Sequence, residues 1–220
     1  MGSLGSDDIF SRMNDSAAAA SIKGLRENEP EDIEKTDRRG RVTITTVPRK
    51  RGTALKEITL RKPTIGEAPA IAELVNRFAK QGLMLPRALV DVCERIRDFT
   101  ICESNGRVIG CVAFHILWKD LGEIRSLAVT EHARRQRVGS RLVEYCLQEA
   151  QTLGITRVLT LTYECKFFGK LRFRKCSKET LPQKVWKDCI NCPHFPNCNE
   201  TAMLLHLKPT YTQRTKRRRL

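Results

Sequence analysis

One stretch of the sequence limits the fold more than any other. In residues 123–143 an apolar strand pattern, Glu123 to Val129, runs into an arginine-rich loop and then into a helix. The loop carries Arg134, Arg135, Gln136 and Arg137, and the apolar residues of the helix recur at Val138, Leu142, Val143 and Cys146. The first amides of a helix have no partner within it, and the helix dipole favours negative charge there. The pattern therefore predicts an anion site, with a pyrophosphate as the expected anion; the alternative is a solvated basic loop.

The same stretch resembles motif A of the GNAT acetyltransferases, usually written Arg/Gln-x-x-Gly-x-Gly/Ala. Here it reads Arg134-x-x-Arg137-x-Gly139. The resemblance implies that the loop amides hold the pyrophosphate of acetyl-CoA and that the preceding strand pairs with the pantetheine arm. It assigns the coenzyme to Leu127, Ala128, Val129, Arg134, Arg135, Gln136, Arg137, Val138, Gly139 and Ser140. Arg137 stands where the family has a glycine, so we expect its side chain to point away from the backbone, with the guanidinium reaching the coenzyme phosphate.

The second half of the chain narrows the resemblance. The matching segments are Lys80 to Arg87, Phe167 to Phe173, Leu181 to Cys189 and Cys192 to Cys198. They are similar to the short stand-alone N-acetylglutamate synthases of bacterial arginine biosynthesis, over roughly residues 56–207. The resemblance implies acetyl transfer from acetyl-CoA to the α-amine of L-glutamate. Arg172 replaces a glycine of the family, which predicts an altered turn there.

The predicted elements from residue 55 onward follow the order β-α-α-β-β-β-α-β-α-β. This order matches the GNAT layout and implies an α/β fold, with a mixed, twisted sheet and helices on both faces. A capping box at Thr64 to Glu67 predicts the start of the first helix, and Asn105-Gly106 predicts a hairpin turn. The inward-facing helix residues are predicted to be Ala68, Ile71, Leu74, Val75 and Phe78, then Leu89, Val92, Cys93 and Ile96.

Three regions follow from composition. Residues 1–54 are polar and then basic, which predicts a disordered extension, although 41–47 has a strand pattern without an obvious partner. Residues 55–208 form the predicted acetyltransferase domain, and 209–220 form a basic tail. The net charge is +15, and basic residues are concentrated in Arg38 to Lys62 and in Arg214 to Arg219, so the tails are candidates for non-specific contact with nucleic acid.

The expected cellular location of the chain is inferred from targeting and membrane signals that the sequence does not show. It shows no secretory signal and no apolar segment of bilayer length. These features predict a cytoplasmic, reducing setting in which the nine cysteines form no disulfides. The pattern leaves open whether the chain forms a homo-oligomer.

Glu123 is the predicted general base. A glutamate ammonium must lose a proton before it can attack the thioester, and a carboxylate at the head of the motif strand can accept that proton. Several GNAT enzymes place a carboxylate at this position. The alternative is a strand-end Glu that forms an ion pair with Arg125. A backbone N–H near Leu127 would stabilise the carbonyl oxygen if a bulge splays the strands.

Two arginines are candidates for the substrate carboxylates. Arg87 is the preferred candidate, because a guanidinium binds a carboxylate through two hydrogen bonds. The alternative is that Arg87 is a solvated arginine at the start of a helix. Arg125 alternates with Ile124 and is expected to face the cleft. GNAT enzymes often protonate the leaving thiolate with a Tyr on a short helix, where this chain has Phe167 and Phe168. Tyr163 is a weaker substitute, and packing at a strand end is the favoured interpretation.

A cysteine cluster leaves the question of metal open. Cys189-x-x-Cys192 fits a zinc knuckle that Cys198 could join. The fourth ligand would come from His194, Cys176 or His206. The alternative is three reduced cysteines that pack a proline-rich loop.

Two classes of function therefore remain open from the sequence. The first is an N-acetyltransferase acting on L-glutamate or on another amine. The second is an inactive GNAT fold whose basic tails bind nucleic acid.

Overall fold

A computed structural model of the chain describes residues 32–37, 40–46, 56–134, 136–181, 189, 192, 194 and 197–208. The strands are β1 Asp32–Thr36, β2 Val42–Thr46, β3 Lys56–Arg61, β4 Phe99–Ser104, β5 Arg107–Trp118, β6 Leu121–Val129, β7 Arg157–Thr162, β8 Arg174–Lys175 and β9 Thr201–His206. The α-helices are α1 Ala68–Ala79, α2 Leu89–Glu94, α3 Val138–Thr152 and α4 Cys165–Lys170. Short 3-10 helices lie at Ile65–Glu67, Ile96–Asp98, Glu131–Ala133 and Lys178–Thr180.

The strands form one sheet in the order β1-β2-β3-β4-β5-β6-β7-β9-β8. Strands β6 and β7 pair in parallel, and the other neighbours pair antiparallel. Helices α1 and α2 pack on one face, with Val75 and Val92 in one core cluster. Helix α3 packs on the other face, where Leu142 shares a cluster with Ile124 and Val158. The predicted mixed sheet with helices on both faces is confirmed.

Local sequence signals place the first helix and the central hairpin as predicted. Thr64 and Glu67 form the capping box, and the backbone N–H of Thr64 donates to the Glu67 carboxylate at 2.7 Å. Arg61 also donates to that carboxylate, and this lowers the pKa of Glu67 to about 2. Asn105 and Gly106 both have positive φ, 50° and 72°, as the turn between β4 and β5 requires.

The residues predicted to face inward from the first two helices are buried or half-buried, with one exception. All five predicted core positions of α1 are buried. In α2, Val92 is fully buried and Cys93 is half-buried, but Leu89 is 48% exposed. The prediction for Leu89 is wrong because α2 has only six residues, so its first turn lies beyond the sheet face that Val92 contacts.

The prediction of disorder over 1–54 is wrong for two segments. Strand β2 pairs with β3 along its whole length, from Val42↔Leu60 to Thr46↔Lys56, and β1 pairs with the outer edge of β2. Ile44 is 2% exposed and joins the core cluster beneath α3. The Tyr145 hydroxyl of α3 donates to the Gly40 carbonyl at 3.0 Å, which ties the turn of this hairpin to the helix. The other residues of 1–54 and residues 209–220 lie outside the described ranges.

The sheet also has a strand that the predicted order lacks. Strand β9 inserts between β7 and β8 and pairs with β7 from Arg157↔His206 to Thr162↔Thr201. Ala202 and Met203 of β9 are buried. Within the described ranges, no helix has the length and the apolar character needed to cross a membrane.

The turn at Arg172 keeps the backbone conformation that a glycine would adopt. Arg172 has φ 68°, so the expected alteration of this turn does not occur. Its side chain is exposed, and the adjacent Phe173 and Phe168 rings pack edge to face in the core. An L-residue in the left-handed region costs roughly 1–2 kcal/mol. The turn therefore tolerates strain because the buried rings on either side hold it in place.

Arg172→Gly is expected to raise the free energy of unfolding by about 0.5–1 kcal/mol, because relief of the positive φ exceeds the extra freedom of glycine in the unfolded chain. Urea denaturation measures the change. Arg172→Ala is the matched control, since it removes the side chain but keeps the strain, and Arg174→Gly in β8 is expected to destabilise. A loss of stability in Arg172→Gly would contradict the role given to φ.

Candidate active site

The parting of β6 from β7 creates the site. The two strands pair in parallel only at Leu121↔Arg157, Gly122↔Val158 and Glu123↔Leu159. Strand β6 continues to Val129 and β7 to Thr162, so the strands diverge beyond Glu123. Backbone groups of β6 on this side then face a cleft, where an extended ligand can pair with them as an additional strand would.

A bulge in β6 accompanies this divergence. Opposite β5, the register passes from Cys111↔Ala128 to Ala113↔Arg125, so β6 contains one more residue than β5 between these pairs. Ser126 has φ 53° at the bulge. The bulge that an oxygen-stabilising N–H near Leu127 requires is thus present, and it makes the N–H groups next to Ser126 candidates for contact with a carbonyl oxygen in the cleft.

A cavity of about 840 Å³ occupies the cleft and brings most of the predicted coenzyme residues together. Those that line it are Leu127, Ala128, Val129, Arg134, Arg137, Val138, Gly139 and Ser140. Gln136 is not among them, because its side-chain amide donates to the His132 carbonyl at 2.8 Å. Arg135 lies outside the described residues. The first turn of α3 therefore opens onto the cavity, as an anion site at a helix N-terminus requires.

The two arginines of the motif differ in position. Arg137 is the N-cap residue of α3 with φ 62° and ψ 10°, so it adopts the left-handed conformation that suits the family glycine. Arg134 is exposed, and its guanidinium lies 5.3 Å from the centre of the Phe78 ring at the end of α1. This cation–π contact joins the loop to the opposite wall of the cavity.

Glu123 lies at the last paired position before β6 and β7 diverge. Its carboxylate and the Arg125 guanidinium are 3.6 Å apart, and their side chains are only 11% and 12% exposed. Both residues line the cavity. The ion pair that the sequence left as an alternative is therefore present, and it coexists with access to the cleft. On the other face of the sheet, the preceding Gly122 leaves room for the Phe114 ring, which a Cβ there would approach to 2.4 Å.

Arg87 approaches the cavity from the other side. The side chain of Asn76 binds both backbone groups of Arg87: Asn76 Nδ2 donates to the carbonyl at 2.8 Å, and the Arg87 N–H donates to Asn76 Oδ1 at 2.9 Å. Arg87 is half-buried and lines the cavity. The segment after α1 is thus held in place by one amide side chain, which positions a cation opposite Glu123.

Tyr163 borders the cavity where β7 ends. Its hydroxyl donates to Asn199 Oδ1 at 2.7 Å, and its side chain is 40% exposed. Desolvation by burial raises the pKa of this hydroxyl above its ordinary value. Phe167 and Phe168 of α4 also line the cavity. The hydroxyl bonded to Asn199 borders the space that the sequence assigns to the thioester.

The cysteine cluster lies on the same wall. Cys189, Cys192 and Cys198 line the cavity, and the Cys192 N–H donates to the Cys189 carbonyl at 2.9 Å. Among the described residues, no group of three or more His, Cys, Asp or Glu side chains is arranged to hold a metal. The described geometry gives no support to a zinc site.

Sequence patterns missed several residues of the cavity wall. Glu144 of α3 and Thr160 of β7 are both buried polar residues that border the cavity. Phe78 was predicted only as a core residue. Hydrophobic periodicity places these residues in the interior, because they recur together with apolar neighbours. The sequence carries no signal that β6 and β7 diverge next to them.

Comparison with known proteins identifies the family. The model of the acetyltransferase (GNAT) family matches residues 73–173. An uncharacterized N-acetyltransferase of Chlorobaculum tepidum is 38% identical over 145 residues, which are 66% of this chain and 94% of that protein. An amino-acid acetyltransferase of Mycobacterium tuberculosis is 33% identical over 132 residues, 59% of this chain and 75% of that protein.

A solved structure supports the same family assignment. N-acetylglutamate synthase from Neisseria gonorrhoeae, complexed with coenzyme A and N-acetyl-glutamate, superposes with a TM-score of 0.62 at 28% identity. The match covers 69% of this chain and 35% of that one. The parted strands, the bulge and the helix N-terminus thus occur in a sequence whose relatives are acetyltransferases, and the chain belongs to the GNAT family of N-acetyltransferases.

Proposed function

We propose that this enzyme transfers the acetyl group of acetyl-CoA to the α-amine of L-glutamate, the first step of arginine biosynthesis. One observation carries the choice of acceptor. Arg87 and Arg125 border the same cavity as the carboxylate of Glu123. Two guanidinium groups suit an acceptor with two carboxylates, and a carboxylate in the same cavity suits the acceptor's ammonium.

The donor occupies the coenzyme half of the cavity. The pyrophosphate of acetyl-CoA lies at the first turn of α3, where Val138, Gly139 and Ser140 border the cavity. The pantetheine arm runs along β6 beyond Glu123, where pairing with β7 has ended. This direction brings the thioester toward the bulge at Ser126 and toward Glu123. The N. gonorrhoeae synthase, which was solved with coenzyme A, supports this assignment.

The chemistry then requires one base and one stabilised oxygen. Glu123 takes a proton from the glutamate ammonium, directly or through water, and the neutral amine attacks the thioester carbonyl. A backbone N–H of the bulge stabilises the negative charge that develops on the carbonyl oxygen. As the C–S bond breaks and the thiolate of CoA leaves, the attacking nitrogen gives up its second ammonium proton, which balances the proton that the thiolate takes up. Tyr163 borders the cavity with a hydroxyl that can protonate this thiolate.

The relatives support the acceptor class. The M. tuberculosis protein is named an amino-acid acetyltransferase, and the N. gonorrhoeae synthase was solved with N-acetyl-glutamate. Another amine acceptor is the alternative.

Contact with nucleic acid through the basic tails and a cytoplasmic location stay predictions from the sequence.

An acceptor screen with the full chain tests the proposal. L-glutamate is expected to exceed L-glutamine in kcat/KM by roughly tenfold or more, because glutamine has nearly the same shape but lacks one carboxylate, and a hydrogen bond to a charged group contributes ~1.5–3 kcal/mol. Release of free thiol from acetyl-CoA measures the rate. Equal rates with both amino acids would contradict a two-carboxylate site. An absence of turnover with any amine, together with RNA binding that weakens as salt rises, would favour the nucleic-acid module.

Glu123→Gln is expected to lower kcat by about 100-fold or more, the usual contribution of a general base. The dissociation constant of CoA should change little, because the coenzyme residues lie farther along β6 and in α3. Steady-state kinetics and CoA titration measure the two quantities. Glu57→Gln on the exposed face of β3 is the control. An unchanged kcat would remove Glu123 as the base.

Arg87→Ala is expected to raise the KM for glutamate by roughly 10- to 100-fold, with a smaller effect on the KM for acetyl-CoA. Arg77→Ala removes a cation of the same type from the exposed face of α1, where Arg77 pairs with Glu73 at 3.1 Å, and it should leave both constants unchanged. The assignment of Arg87 fails if the two variants have the same KM for glutamate.

A further inference from the structure

A row of polar side chains crosses the sheet beside Glu123. His115 of β5 is the direct cross-strand partner of Glu123 in β6. Its Nδ1 atom lies 2.8 Å from Oδ2 of Asp98, the last residue of the 3-10 helix before β4, and its Nε2 atom lies 3.4 Å from Nη1 of Arg95, just after α2. Asp98, His115 and Glu123 therefore follow one another from the 3-10 helix before β4, through β5, to β6.

His115 and Glu123 point to the same face of the sheet. The register between β5 and β6 is regular from Ala113↔Arg125 to Ile116↔Gly122, so no bulge separates the two side chains. In such a pair the Cβ atoms are about 4.5–5.5 Å apart. Ala113, which alternates with His115, packs in the core cluster of α1 and α2. The shared face is therefore the one that Arg95 covers from the end of α2.

Access to water changes along this row. The Glu123 side chain is 11% exposed, whereas those of His115 and Asp98 are 28% and 29% exposed. Glu123 borders the cavity, so once acceptor and coenzyme fill that cavity its proton needs another route to solvent after each turnover. Next to Glu123, His115 is the neighbour in this row whose ring can both accept and donate a proton and whose side chain reaches water.

We propose that His115 is a proton relay for Glu123. This inference rests on the proposed role of Glu123 as the base. After Glu123 has taken a proton from the acceptor ammonium and the amine has attacked the thioester, the carboxyl group passes that proton to the Nε2 lone pair of His115. The imidazolium then releases the proton from Nε2 to water, which restores the carboxylate and the neutral imidazole.

The partners of His115 suit this role. The Asp98 carboxylate accepts the Nδ1–H, which leaves the lone pair of the neutral ring on Nε2. Arg95 Nη1 lies 3.4 Å from Nε2, which is the upper end of hydrogen-bond distance. The charged groups placed beside His115 come from three elements: Arg95 at the end of α2, Asp98 before β4, and its cross-strand partner Glu123 of β6. A small neighbouring cavity that Arg95 and Asp98 also line adds Arg87, Asp91 and Arg125.

His115→Gln tests the relay, because an amide keeps hydrogen bonding but cannot carry the proton. We expect kcat to fall about tenfold or more, within the range for proton-transfer groups, while the KM values for acceptor and acetyl-CoA stay nearly constant. Imidazole added to the buffer should restore part of the lost kcat in the variant and leave the wild-type rate unchanged. His206→Gln, exposed at the end of β9, is the matched control and should behave as wild type.

The outcomes separate the relay from a structural role. An unchanged kcat in His115→Gln overturns the relay, and so does a fall in kcat that imidazole does not rescue. The assay uses the best acceptor of the wild-type screen, so the relay is tested even if that acceptor is not glutamate. Turnover of another amine alone would refute the proposed substrate, whereas glutamate turnover with a fully active His115→Gln would refute only the relay.

Discussion

The parallel pairing of β6 with β7 ends after three residue pairs, and the rest of the molecule depends on where it ends. Beyond Glu123 the backbone of β6 lies along a cavity instead of a neighbouring strand. A sheet that continued its ladder would have no room for a ligand there, because neighbouring strands lie only about 4.8 Å apart. The bulge at Ser126 and the first turn of α3 line the space that the parting opens.

The two faces of the sheet contribute different parts of the site. Helix α3, on one face, presents its N-terminus to the cavity, where we propose that the coenzyme binds. The face covered by α1 and α2 contributes Arg87. The polar row from Asp98 through His115 to Glu123 lies on this same face. Glu123 lies at the meeting point of both halves. In the proposed reaction, the acceptor and the proton route therefore share one face, while the donor enters along the open edge of β6.

Several parts of the structure hold this arrangement against local strain. Arg137 and Arg172 both have positive φ at positions where the family has glycine. Each is next to packed residues: Val138 is 1% exposed and Phe173 is 1% exposed. The hairpin of β1 and β2 lies outside the segment that matches the family model, and it extends the core under α3 through Ile44. This chain thus adds a hydrophobic contact to the helix that bears the coenzyme loop.

The sequence by itself determined the local elements and the family. The capping box at Thr64, the Asn105-Gly106 turn and the motif after Val129 depend on neighbours in the chain, so their residue types were sufficient. Disorder was predicted for β2 because its burial depends on β3 and α3, which are distant in sequence. Only the tertiary structure decided that β6 and β7 part after Glu123 and that His115 lies opposite it. Strand register arises from pairing between distant segments, and no residue pattern within one strand specifies where that pairing stops.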